Sequence, residues 1–142
     1  MASSSTIEGV FEQVHSAGKT FPETVGALME LGVTRYHVDF VSSSVTTYKP
    51  KTGGGSYEVH RIPIPLSNGR LDSSWDGAGI VNAIRLIQQR VEIKTYAEFT
   101  ERCVNAGVAG YQACLTGKRV VYYGHNGDMH VEWFPGAEPG TK

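Results

Sequence analysis

The sequence predicts an α+β fold in which helices pack on one face of an antiparallel sheet, and three observations carry that prediction. Residues 21–48 align without a gap on residues 96–123, so that Glu23, Gly32, Val33, Tyr36, Val45 and Tyr48 recur as Glu98, Gly107, Val108, Tyr111, Val120 and Tyr123. A second pair of segments, 56–63 and 128–135, follows in each half after a loop three residues longer in the first. In both halves the apolar periodicity changes from helical to alternating directly after a glycine, Gly32 or Gly107. The expected architecture is a single domain over residues 1–142 holding an internally duplicated unit of two helices and a three-stranded meander. The two copies span about residues 6–63 and 79–135, with a linker at 64–77 and a frayed tail at 136–142.

Each element has a local cause. The first helix is expected from about Thr6, because Ser5 and Glu8 have capping-box spacing and Ile7, Val10, Phe11 and Val14 recur at helical intervals. Gly18 stops it. Thr20 and Glu23 cap a second helix whose buried stripe is read as Val25, Leu28 and Met29, ending at Gly32. Alternation over residues 33–40 predicts a strand, the serine-rich turn at 42–44 leads into a second at 45–48, and the glycines at 53–55 lead into a third at 57–62. The second half repeats this order. A helix over about 79–90 carries Ile80, Val81, Ile84 and Ile87, and Thr95 with Glu98 caps the next, in which Cys103 takes the core position of Leu28. A strand after Gly107, matching the one after Gly32, and strands at 119–123 and 129–134 follow, the last two joined by the tight Asn126-Gly127 turn.

Composition bounds the function. The chain has 142 residues, 40% of them hydrophobic and 19% charged, which suffices for one core without covalent staples. Thirteen basic and 14 acidic residues give a net charge of −1 with no cluster of Lys and Arg on one face, so no nucleic-acid partner is expected. No long apolar run or leader pattern points to a membrane, and Cys103 and Cys114 form neither a zinc spacing nor a disulfide framework; a reducing, cytoplasmic setting is the expectation.

The segments FPETV, GVTRYHVDF, AIRLIQQ, IKTYAEF, AGVAGY, GKRVVYYGHNG and HVEWFP together resemble the small phage-envelope-protein-like family, a domain of unknown function from bacteria and fungi. The resemblance runs in order from about Ile7 to Pro135. It implies one α+β domain and brings no set of catalytic residues with it.

Polar residues that break the apolar pattern mark the candidate site. Arg35, His37 and Asp39 share one face of the first strand, Glu58 pairs with His60 on the third, and His130 with Glu132 on the last. If these faces coincide, His37, Asp39, His130 and Glu132 are the candidate general acids and bases, with Arg35, Glu58, His60, Gln112, Cys114 and Trp75 as substrate-binding residues. The competing interpretation is the solvated face of a half-buried sheet. A metal site from His37, Asp39, His60 and His130 has suitable ligand types but no compact motif, so no metal or cofactor is expected. Tyr36, Tyr48, Tyr111 and Tyr123 recur in both halves and are expected in the core, and Trp75 either tacks the linker onto the sheet or covers a cleft. The leading functional expectation is a cofactor-independent enzyme using His and carboxylate chemistry for cyclisation, proton abstraction or hydrolysis of an acyl or polyketide-like compound. The alternative is a noncatalytic small-ligand-binding or homo-oligomerising module, a homodimer being its simplest form.

Overall fold

The computed structural model describes residues 6–65, 67–89 and 95–139. The chain order is α1 (Ile7–Ser16), α2 (Phe21–Glu30), β1 (Arg35–Asp39), β2 (Ser44–Pro50), β3 (Tyr57–Pro63), α3 (Gly77–Gln89), α4 (Tyr96–Asn105), β4 (Val108–Cys114), β5 (Arg119–Gly124) and β6 (Met129–Trp133). Two helices and three strands therefore occur twice, and the molecule is of the α+β class.

Side chains of Thr20 and Thr95 accept from the backbone N–H of Glu23 and Glu98, whose carboxylates accept from the cap N–H in return, so both capping boxes form. The first helix starts differently from the sequence expectation: Thr6 is its cap and accepts from Gly9 N at 3.0 Å, while Ser5 lies outside the described residues. The helix read as 79–90 begins two residues earlier, at Gly77, with the Asp76 carboxylate accepting from Gly79 N at 3.0 Å; Arg90 lies outside the described residues. Gly32 and Gly107 follow α2 and α4 with positive φ of 89° and 93°, conformations that a Cβ disfavours. Met29 is 50% exposed and Thr24 is buried in its place, because the stripe of α2 runs through Thr24 and Leu28.

All six strands form one sheet in the order β3-β2-β1-β4-β5-β6, with every neighbouring pair antiparallel. At the central seam His37 lies opposite Gln112, the residue that aligns with it in sequence. The order is symmetric about that seam. Tyr36, Val38, Val45, Tyr111, Val120 and Tyr122 turn to the helix side and are buried. Val10, Leu28, Ile80, Cys103 and Val104 meet them from the helices. Among the described residues no helix is long and apolar enough to cross a membrane.

The linker is anchored. Arg70 N donates to the Asn105 side chain at 2.8 Å and Asp76 N to Ala106 O at 2.8 Å. Trp75 packs where Gly107 and Gly124 leave space, so it fastens the linker to the sheet. At the tail, Ala137 N donates to Phe134 O at 2.9 Å, and residues 140–142 lie outside the description.

Candidate functional site

Antiparallel register decides which polar residues share a face, since directly opposed residues project to the same side. His37 pairs with Thr46 and Gln112, and Arg35 pairs with Tyr48 and Cys114, so Arg35, His37, Asp39, Gln112 and Cys114 occupy the face without helices. His130 pairs with Tyr122 and Glu132 with Val120, on the helix side. His60 pairs with buried Thr47 and Glu58 with Lys49, also on the helix side but at the far edge of the sheet. The expected convergence of His37, Asp39, His130 and Glu132 therefore does not occur. A spacing of two within a strand puts residues on one face, but it does not relate the faces of separate strands; the registers do. The same geometry separates the ligands of the metal alternative, and among the described residues no group of three or more His, Cys, Asp or Glu could hold an ion.

The open face is internally satisfied. Arg35 donates to the Gln112 side chain at 2.8 Å and lies 3.9 Å over the Tyr48 ring, and Arg119 lies 4.0 Å over Trp133. The Asp39 carboxylate accepts from Val41 N at 2.9 Å and Ser42 N at 3.2 Å, which makes it a turn-forming residue. Tyr48 and Tyr123 are half-buried on this face instead of in the core: alternation from Thr47 and Tyr122, both inward, sends their neighbours outward. Sequence repetition had marked them as core, but period decides the face.

His37 Nε2 and the Tyr123 hydroxyl are 2.5 Å apart. Burial lowers the His37 pKa below its ordinary 6.5, with Asp39 opposing the shift and Arg35 adding to it. Burial also pushes the Tyr123 phenol up to about 12, so it stays protonated and can donate to a neutral imidazole. Because the folded pKa of His37 lies below the unfolded one, its contribution to stability is fully present above about pH 6.5 and is lost as pH falls through the folded value. Burial shifts His15 the same way. Urea midpoints are expected to fall between about pH 7.5 and pH 5.5, and His37→Gln to flatten that dependence. An unchanged slope in the variant would place the dependence elsewhere.

The helix side holds a chamber of about 550 Å³ between the helices and the sheet. Its sheet wall is Tyr36, Val38, Tyr111, Val120 and Tyr122; Phe11 and Val14 close it from α1, Ile84 and Ile87 from α3, and Tyr96 and Phe99 from α4. Phe21 and Phe134 meet edge to face at 5.5 Å and also line it. The volume lies in the range of small-molecule pockets, and apolar walls with a few polar groups are what such pockets share.

Its polar groups include four phenols and the Glu132 carboxylate, with His15, Lys19, Thr20, Thr24 and Gln88 also on the lining. The Tyr96 and Tyr111 hydroxyls are hydrogen-bonded to each other at 2.6 Å. Burial pushes Tyr96 up to about 12 and Tyr36, Tyr111 and Tyr122 higher, so all four remain neutral and able to donate. Glu132 lines the chamber from β6, accepts from Arg85 Nη1 at 2.7 Å and stands 3.2 Å from His130 Nε2. Of the expected catalytic residues only Glu132 lines the chamber, with His130 beside it on β6. Sequence reasoning missed Tyr96 and Tyr122, which are not repeated; the available signal was the alternation through Val120 and Tyr122, which directs a phenol inward.

A comparison with curated proteins found no match. The family described as Protein of unknown function (DUF1398) matches residues 8–132, from the first turn of α1 into β6.

Proposed function

We propose that this chain, which belongs to the family described as Protein of unknown function (DUF1398), binds a small, mainly apolar molecule in the chamber between its helices and its sheet. The observation that carries the reading is a mainly apolar space of about 550 Å³ bordered by four tyrosines inside a domain of 142 residues. A packed core leaves few voids larger than a water molecule. A space of this size is a binding site in this reading, and not imperfect packing. The phage-envelope-protein-like resemblance brings no virion role to it.

The catalytic alternative narrows to His130 and Glu132, the latter on the chamber wall, where a carboxylate could take a proton from a bound acyl or polyketide-like compound. His37 and Asp39 have no part in it. The open face, with Tyr57, Val59, Met129 and Val131 exposed, is where a homodimer would form. We read the two halves as copies of one duplicated unit, supported by the twofold order of the sheet and by the matching positions of Gly32 and Gly107. Two free thiols, Cys103 and Cys114, support an intracellular setting.

The test is uptake of N-phenyl-1-naphthylamine, whose fluorescence rises in apolar surroundings. The wild type is expected to bind one probe per chain. Ile87→Trp, at a half-buried position on the wall, fills the space and should weaken binding by about tenfold or more, with circular dichroism and melting preserved. No uptake by the wild type, or equal uptake by both, would refute the proposal.

A further inference from the structure

We infer that the ligand of this chamber carries an uncharged acceptor oxygen, a ketone, aldehyde or lactone carbonyl, on an otherwise apolar body, and that the Tyr122 hydroxyl donates to it. The inference rests on the chamber being a binding site. Tyr122 is 6% exposed, lines the chamber, and has its ring fixed between Tyr111 at 5.4 Å, His130 at 6.2 Å and Phe99 at 6.4 Å. The Tyr96 and Tyr111 hydroxyls satisfy each other, whereas among the described residues no protein group is hydrogen-bonded to the hydroxyl of Tyr122. Its ring is buried while the residue borders the chamber, so the donor left over is placed where a ligand can take it.

The surroundings select the charge of that ligand. Lys19 lines the chamber from the loop between α1 and α2, and burial holds His15 toward its neutral form, but at Tyr122 itself the electrostatic neighbour is Glu132, which repels an anion brought to that hydroxyl and does not repel a neutral carbonyl. A cationic head finds no free countercharge in Glu132, which is already bonded to Arg85 at 2.7 Å and lies 3.2 Å from His130. At Tyr122 the favoured pairing is a neutral phenol with a neutral acceptor, and the apolar walls accept the rest of the molecule.

Three ligands of one skeleton test this: 2-acetylnaphthalene, 2-ethylnaphthalene and 2-naphthoate, each titrated into the wild type and into Tyr122→Phe. The wild type is expected to bind the ketone about tenfold more tightly than the hydrocarbon, and more tightly than the naphthoate. Tyr122→Phe, which keeps the ring, should lose that preference while binding 2-ethylnaphthalene as before. The carbonyl stretch of the bound ketone should move to lower wavenumber in the wild type and not in the variant. Equal affinity for ketone and hydrocarbon, tightest binding of naphthoate, a preference that survives in Tyr122→Phe, or an unshifted carbonyl overturns the inference and leaves the chamber as an apolar site. Failure of all three to bind overturns both.

Discussion

Tyr36→Ala is expected to lower the free energy of unfolding by about 3–5 kcal/mol, the range of large-to-small aromatic changes in cores. Tyr36 stands on the central strand β1, is 2% exposed, and packs edge to face on Phe11 at 5.2 Å and on Tyr111 at 6.2 Å. Its removal would widen a space that already exists beside it, so the surrounding rings have no neighbour to collapse against. Tyr48→Ala is the internal control. That ring lies on the open face under Arg35, and its loss should cost clearly less. A cost for Tyr36→Ala below about 1 kcal/mol in chemical denaturation would show that the ring is not part of the packed wall.

The second large effect separates two glycines that look alike in the sequence. Gly107 and Gly32 both follow a helix with positive φ, 93° and 89°, so alanine at either is strained by roughly 1–2 kcal/mol. Space divides them. A Cβ on Gly107 would fall 2.5 Å from Ser74 O and 2.6 Å from Trp75 Cα, backbone atoms of the anchored linker, whereas on Gly32 it would meet the flexible Lys49 side chain at 3.1 Å. Gly107→Ala should therefore cost about 1–3 kcal/mol more than Gly32→Ala, because the linker must shift and Trp75 with it. Urea titrations of both variants check this, followed by tryptophan fluorescence from Trp75 and Trp133. Equal costs would mean that the linker adjusts without resistance.

Much of the backbone was legible because its causes are local. Thr20 with Glu23 and Thr95 with Glu98 announce helix starts through a side-chain reach of three residues, and Gly32 and Gly107 announce stops through a φ that other residues avoid. The error at Met29 arose where several apolar residues crowd one helix and only the neighbouring elements choose among them. Tyr48 and Tyr123 were misplaced for a related reason: repetition says that a position matters, whereas the phase of the alternation says which way it faces.

The candidate site was legible only in part. Glu132 and His130 are on one face of β6 by their spacing, and they do reach the helix side of the sheet. His37 and Asp39 are equally well paired within β1, yet their strand presents them to the open face, where one meets Tyr123 and the other closes a turn. The four helices, the capping boxes of α2 and α4, the two meanders and the residues that alternate along each strand follow from the sequence alone, all consequences of interactions a few residues long. The tertiary structure alone decided the rest. The register across the β1–β4 seam sorts the polar residues onto opposite faces, and the standoff between helices and sheet leaves a chamber among Tyr36, Tyr96, Tyr111 and Tyr122. An unfilled volume is a property of how separate elements meet, and no periodicity within one element encodes it.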